Sequence, residues 1–306
     1  MSGAAYTVHG TGRPVVLIAG AGGDGRIWAH HQVPALTAAG HQAITFDHDT
    51  ANSPVHELTA RLREVVSAIG SPPCPLVGHS LGALAVQELL LTDPRLASGA
   101  VLAATRGRSD AVGDALYRAE AALAETASAG YASGEYAPSG YASRGSASAG
   151  SPTGGYASYG FAPAGTGGRL PPEYESFVRL VQNLSPRTLA DEGAVTEWLD
   201  LFEVAALSGT SATQRPGRPV PNRLAAYARI TTPVLVVGFA DDVLAPAYLG
   251  REVAAAVPGA RYAELADAGH LGFLERPAAF NTLLLDFLST LPTTCTTDAD
   301  GAPRVR

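Results

Sequence analysis

Three side chains suited to nucleophilic chemistry stand along the chain in the order serine, aspartate, histidine. The first is Ser80, in Gly78-His79-Ser80-Leu81-Gly82, a G-x-S-x-G pattern between the apolar run Pro75–Val77 and a helix-like segment that begins at Leu81. A serine on a sharp strand-to-helix turn is held in a strained backbone conformation. Side chains two positions to either side would strike the neighbouring strand and helix, hence the glycines. Such a turn lifts the hydroxyl above a sheet and aims the helix N-terminus at it. The second candidate lies in Phe239-Ala240-Asp241-Asp242-Val243-Leu244-Ala245-Pro246, just past another apolar run. A carboxylate at the carboxyl end of a parallel strand points into the crevice where ligands bind. The spacing of four to Pro246 favours Asp242 as the acid, with Asp241 the alternative; either can also be a turn former or a helix cap. The third is His270, in Ala268-Gly269-His270-Leu271-Gly272-Phe273. Alone it reads as a satisfied loop histidine. The order nucleophile, acid, base is what gives it a role, because one parallel sheet presents all three from successive loops in that order.

A nucleophilic serine also needs donors for the oxyanion that forms on its substrate. Gly20-Ala21-Gly22-Gly23-Asp24-Gly25 follows the first apolar run and precedes Trp28. It lacks the phasing and the lysine of a phosphate-binding loop. A loop leaving the sheet beside the serine can instead offer a backbone N–H. We assign Ala21 N–H as one donor and Leu81 N–H, at the start of the helix, as the other. Such a donor contributes about 3 to 4 kcal/mol to the transition state when removed singly. Trp28, Arg106 and Arg108 are candidates for substrate contact. The two arginines could pair with a substrate carboxylate or a phosphopantetheine phosphate, and the plainer alternative is a solvated strand end.

The elements that must position these groups alternate. Val15–Ala19, Gln42–Asp47, Pro75–Val77 and Ala100–Ala103 read as strands, with helical spacing over Glu57–Ile69 and Leu81–Thr92. Residues 229–290 return to the same rhythm: strands at Pro233–Val237 and Arg261–Glu264, helices at Tyr248–Val257 and Ala278–Leu288. That alternation predicts a mostly parallel sheet with helices on both faces. Residues 107–228 break it, with helices expected over Asp110–Ala127, Glu173–Leu184 and Thr188–Leu207. Inside this insertion, residues 131–165 scan as seven pentads with alanine second in six and glycine fifth in six. A period of five suits neither helix nor strand, and the composition predicts a mobile tract. The organisation expected is a core in two parts, 1–106 and 229–290, an inserted helical cap, 107–228, and a flexible tail, 291–306.

Composition sets the limits. The 306 residues are 46% hydrophobic and carry a formal charge of −7, which argues against a nucleic-acid binder. All 21 basic residues are arginine, so a Schiff base or a lysine-bearing phosphate loop is excluded. Cys74 and Cys295 stand far apart with no histidine at ligand spacing, so neither a disulfide framework nor a metal site is expected. No run approaches a membrane span, and we expect a cytoplasmic protein that needs no cofactor.

Through Gly78-His79-Ser80-Leu81-Gly82, the Asp242 turn, the stretch Ala268–Pro277 and the segment from Trp28 to Gly40, the sequence resembles the α/β-hydrolase superfamily. It looks most like the small serine hydrolases and thioesterase-like proteins of bacterial natural-product pathways. Two departures stand out. Ala19-Gly20 replaces the family's usual His-Gly, and Asp47–Ser53 replaces an Arg-Gly-x-Gly-x-Ser loop. The resemblance implies the α/β-hydrolase fold, a cap over the site, and cleavage of an ester or thioester through an acyl-Ser80 intermediate. One alternative is an acyltransferase or cyclase that takes its acyl group from an acyl-carrier or peptidyl-carrier protein. The tyrosine pentads could dock such a carrier or grip an aromatic or peptide-like substrate, but the preferred reading is a neutral repeat expansion in a surface loop. The other alternative is a non-catalytic ligand-binding protein on the same fold.

Overall fold

Alternate residues of each apolar run bury on opposite faces of one sheet, and this sets the architecture. Val16, Ile18, Leu76, Leu102 and Val236 belong to one core cluster, while Val15, Leu17, Val77, Val101 and Val237 belong to the other. A strand sealed on both sides has no polar face, so it reads as a continuous hydrophobic run. The computed structural model describes residues 5–21, 25–48, 55–70, 73–132, 172–207, 220–292, 296–297 and 303–304.

The strands are β1 (Thr7–His9), β2 (Arg13–Ile18), β3 (His41–Thr45), β4 (Cys74–His79), β5 (Ala97–Ala103), β6 (Val234–Phe239) and β7 (Arg261–Leu265). They lie in the order β1-β3-β2-β4-β5-β6-β7, every pairing parallel except β1 with β3. The helices are α1 (Gln32–Ala38), α2 (Val55–Ile69), α3 (Leu81–Thr92), α4 (Ala111–Ala132), α5 (Pro172–Asn183), α6 (Pro186–Leu189), α7 (Glu192–Leu207), α8 (Leu224–Tyr227), α9 (Ala247–Ala256), α10 (Gly272–Glu275) and α11 (Pro277–Thr290). Leu58, Leu62 and Val65 of α2, Val86 and Leu89 of α3 and Val253 of α9 cover one face of the sheet. Leu36 of α1 and Phe280, Leu284 and Phe287 of α11 cover the other. Each fully buried side chain of this size contributes about 1.5 to 3 kcal/mol relative to exposure.

Several expectations shift. The strand read as Gln42–Asp47 ends at Thr45, leaving Asp47 free to accept the Gly25 N–H at 3.0 Å. The helix read as Thr188–Leu207 is two helices. Ser185-Pro186 caps and starts α6, and Asp191 caps α7 by accepting the N–H groups of Gly193 and Ala194 at 3.1 Å each. Strand β1 was not anticipated, because three residues show no period. In the tail, Thr296–Thr297 pairs antiparallel with Pro303–Arg304. The pentad tract lies outside the described residues except for positions 131 and 132, which close α4. No helix among the described residues is long and apolar enough to cross a membrane.

Candidate active site

Parallel strands end on one edge, and the turns after β4, β6 and β7 meet there. Ser80 follows β4 with φ +52° and ψ −114°, a region that L-residues avoid. Its N–H donates to Ala103 O at 3.0 Å, and its carbonyl accepts from Leu84 N–H at 3.1 Å, so the turn is tied to β5 and to α3. The two flanking glycines are required by space. A Cβ on Gly78 would stand 2.6 Å from the Gly82 carbonyl, and one on Gly82 would stand 2.6 Å from the Ala19 oxygen. Gly20 is also close, with a Cβ there falling 2.9 Å from His79 Nδ1 and 3.2 Å from Ser80 Cβ. The loop after β2 therefore lies directly against the serine.

His270 completes the contact. Its Nε2 is 3.0 Å from Ser80 Oγ, and its Nδ1 is 2.8 and 3.0 Å from the two oxygens of Asp242. A carboxylate can only accept, so Nδ1 carries the proton and Nε2 presents a lone pair to the hydroxyl. Asp242 is held in turn, its Oδ1 accepting the N–H groups of Leu244 and Ala245 at 2.8 Å each. Burial works against its charge, but His270 and these two donors outweigh that and keep the carboxyl below the usual carboxylate range. Asp242 is 4% exposed and His270 7%, whereas Ser80 is half-buried. The arrangement can move a proton from the hydroxyl onto a shielded imidazole whose developing charge already faces a carboxylate. Asp241 meets the Ala268 carbonyl with its backbone N–H, and among the described contacts it is Asp242 that reaches His270.

Behind His270 stands a residue the sequence reading passed over. His79, the variable position of the G-x-S-x-G turn, donates Nε2–H to the His270 carbonyl at 2.8 Å and meets its ring in a tilted contact, 4.9 Å between centroids. Complete burial, aided by repulsion from His270, pushes the His79 pKa down to about 3, so it is neutral at working pH. Its ring also meets Phe273 at 4.7 Å, and Phe273 meets Trp28 at 4.6 Å. Trp28 is thus enclosed, 0% exposed, which corrects the expectation of substrate contact. The signal for His79 was its place one residue before the serine on a strand end.

The remaining candidates fall in different places. Leu81 opens α3, so its N–H is one of the first-turn donors that no carbonyl within the helix serves. Ala21 lies one residue past Gly20, which packs against the serine, and residues 22–24 lie outside those described. His48 bonds the Ala19 carbonyl through Nε2 at 3.0 Å and Asp47 holds Gly25, so the departed loop after β3 grips both ends of the glycine loop. Arg106 donates to Leu244 O at 3.0 Å, beneath the Asp242 turn. Arg108 is already paired, with two bonds of 2.6 and 2.7 Å to Glu252. Among the described residues, no group of three or more His, Cys, Asp or Glu side chains could hold a metal ion. Burial pushes the Cys74 thiol up to about 12, so it stays protonated.

Comparison with known proteins agrees with this architecture. Residues 15–283 match a family described as the alpha/beta hydrolase family. The chain is 40% identical over 296 residues to BpoC of Mycobacterium tuberculosis, provisionally assigned as a non-heme bromoperoxidase, covering 94% of this chain and 98% of that one. The BpoC crystal structure superposes with a TM-score of 0.76 at 39% identity, covering 94% of this chain and 96% of the other. The rhodomycin D methylesterase DauP of Streptomyces sp. strain C5 is 30% identical over 269 residues, 84% of each chain. RutD of Azorhizobium caulinodans, provisionally a carbamate hydrolase, is 26% identical over 302 residues, 92% of this chain and 93% of its own.

Proposed function

The chain belongs to the alpha/beta hydrolase family, and from that premise we propose that it cleaves an ester or thioester through Ser80, with His270 as general base and Asp242 behind it. The observation that carries this reading is the unbroken chain of contacts from Ser80 Oγ through His270 to Asp242 at 3.0 and 2.8 Å. In the first step Ser80 Oγ bonds to the carbonyl carbon while its proton passes to His270 Nε2. The oxyanion is met by the N–H groups of Leu81 and Ala21. Collapse breaks the bond to the leaving group, which takes the proton from His270 and departs as an alcohol or thiol. Water then gives its proton to His270 and attacks the acyl-Ser80, and the carboxylic acid is released as Ser80 regains its proton. Asp242 keeps His270 in the required tautomer and stabilises the imidazolium.

DauP, a methylesterase by name, supports an ester among the possible bonds. A panel of p-nitrophenyl esters and acyl-thioesters tests the proposal, with products resolved by mass. Turnover on at least one member, lost in Ser80→Ala with an unchanged fold, is expected. A Ser80→Ala protein that keeps most of the wild-type rate overturns the mechanism. Free acid as the sole product assigns hydrolysis, whereas an amide or new ester formed with an added amine or alcohol assigns acyl transfer.

A further inference from the structure

The His270 loop is fastened to a segment some 85 residues earlier in the chain. Glu275, at the end of α10, is half-buried and divides its two oxygens between these regions. Oε1 accepts from Ser185 N–H at 2.8 Å, Ser185 Oγ at 2.7 Å and Thr188 Oγ1 at 2.6 Å, all at the α5–α6 junction of the insertion. Oε2 accepts from the N–H of Gly269, the residue before His270, at 2.6 Å. An ionised carboxylate is acceptor-only, and here one oxygen gathers three donors from the insertion while the other takes the donor from the His270 loop. Ser185 is fully buried and Thr188 nearly so, which leaves water little access to replace these bonds. The same junction meets the loop through its backbone as well. Leu271 N–H donates to Asn183 O at 3.1 Å, and a Cβ on Gly269 would stand 2.6 Å from that oxygen and from Leu184 C. The Leu271 side chain packs on the small insertion core of Leu180, Leu184 and Phe202.

We propose that Glu275 is a positioning residue that couples the 183–188 segment of the insertion to the His270 loop, so that the seating of the insertion sets how His270 faces Ser80. Both chain neighbours of His270 are tied to this junction. Its N-terminal neighbour, Gly269, is pinned by the carboxylate, and its C-terminal neighbour, Leu271, is pinned by Asn183. A shift of the insertion therefore moves the imidazole, and a few tenths of an ångström at a proton-transfer contact matter to rate. The inference rests on the reading of Ser80 and His270 given above.

Glutamine at 275 separates coupling from bulk. It keeps the volume but offers one acceptor oxygen, and its NH2 must face either Gly269 N–H or Ser185 N–H, neither of which can turn to accept. One of the two links is lost in either orientation. The test measures the second-order rate at which a small fluorophosphonate labels Ser80, together with the thermal midpoint, in wild type, Glu275→Gln, Thr188→Val and the double variant. We expect labelling of Glu275→Gln to fall at least tenfold and of Thr188→Val several-fold. In the double variant the loss should be clearly smaller than the product of the single losses, since both act through one carboxylate. A purely structural role lowers midpoints and leaves the labelling rate of the folded protein unchanged. Labelling of Glu275→Gln within twofold of wild type, or losses that multiply, overturns the coupling. If Glu275→Gln does not fold, Thr188→Val decides alone, with a wild-type labelling rate overturning the proposal and a reduced rate in a folded protein upholding it. Wild-type protein that turns over esters with Ser80 unlabelled overturns the nucleophile reading and the coupling with it; a labelled wild type with an unaffected Glu275→Gln overturns the coupling alone.

Discussion

The serine and the histidine face each other across 3.0 Å, yet they are held by different means. Ser80 is positioned by one tight turn packed against neighbouring strands. Its φ of +52° and the glycines at 78 and 82 fall within five consecutive residues where β4 passes into α3, packed against the Ile18 and Ala19 carbonyls and tied to Ala103 O. His270 is positioned from a distance. Its loop depends on Asp242, 28 residues away, on the carbonyl contact from His79, 191 residues away, and on the Glu275 bonds to Ser185 and Thr188. The nucleophile side is thus a rigid turn and the base side a meeting of four separate segments. Strain fixed by sterics leaves few alternatives, while a loop held by hydrogen bonds can be retuned by changing any one of its partners.

The largest effect should come from the distant side. Asp242→Asn removes the carboxylate that sets the tautomer and should lower kcat by about 10³- to 10⁴-fold, measured on the best p-nitrophenyl ester. Asp241→Asn should stay within a few-fold of wild type. Equal losses in the two would mean that the contacts of Asp242 do not govern the base. Next comes the local side. Gly82→Ala drives a Cβ into the Ile18 and Ala19 carbonyls and should cost about 1 to 3 kcal/mol of stability with roughly a hundredfold fall in kcat/KM. A stable, fully active Gly82→Ala protein would break the contrast, because it would show that the turn can yield.

How far each side was legible in the sequence follows from the same contrast. The Gly78–Gly82 turn is written in consecutive residues, so Ser80 and the strand and helix around it could be read directly. Asp242 and His270 were reachable through chain order, although geometry was needed to separate Asp242 from Asp241. His79 and Glu275 carry no period or spacing that announces their partners, since each acts on a segment far along the chain. Trp28 was misjudged because an aromatic beside a functional loop looks the same in sequence whether it lines a site or props it from within. The break at Ala190-Asp191 was hidden because apolar spacing runs on across two helices whose caps lie in single residues.

Two smaller effects sharpen the picture of the base side. Arg106→Met removes the donor to Leu244 O beneath the Asp242 turn, a charge-assisted bond of about 1.5 to 3 kcal/mol when buried. We expect kcat to fall by up to about tenfold with KM little changed; a rise in KM with kcat intact would instead assign Arg106 to substrate. The last concerns acid. His79 has its folded pKa, about 3, below its ordinary value of 6.5, so below that value the unfolded chain takes up a proton that the folded chain refuses. Stability is full above pH 6.5 and falls as pH drops toward 3, by about 2 to 3 kcal/mol at pH 4.5. Asp242, with its depressed pKa, acts in the same direction at lower pH, where its stabilising contribution is lost as pH falls through the folded value. His79→Gln keeps a donor for the His270 carbonyl but does not titrate. The difference in urea midpoint between pH 7.5 and 4.5 should therefore shrink in that variant; an unchanged difference would show that His79 is not buried neutral.

The central claim is that Ser80 is activated by its contact with His270, and covalent labelling reads it directly. Incubation with a fluorophosphonate followed by peptide mass analysis should give one adduct per chain, on the peptide that carries Ser80, at a rate lowered at least a hundredfold in His270→Ala. An adduct on another residue, or an active protein whose Ser80 stays unmodified, would contradict the account.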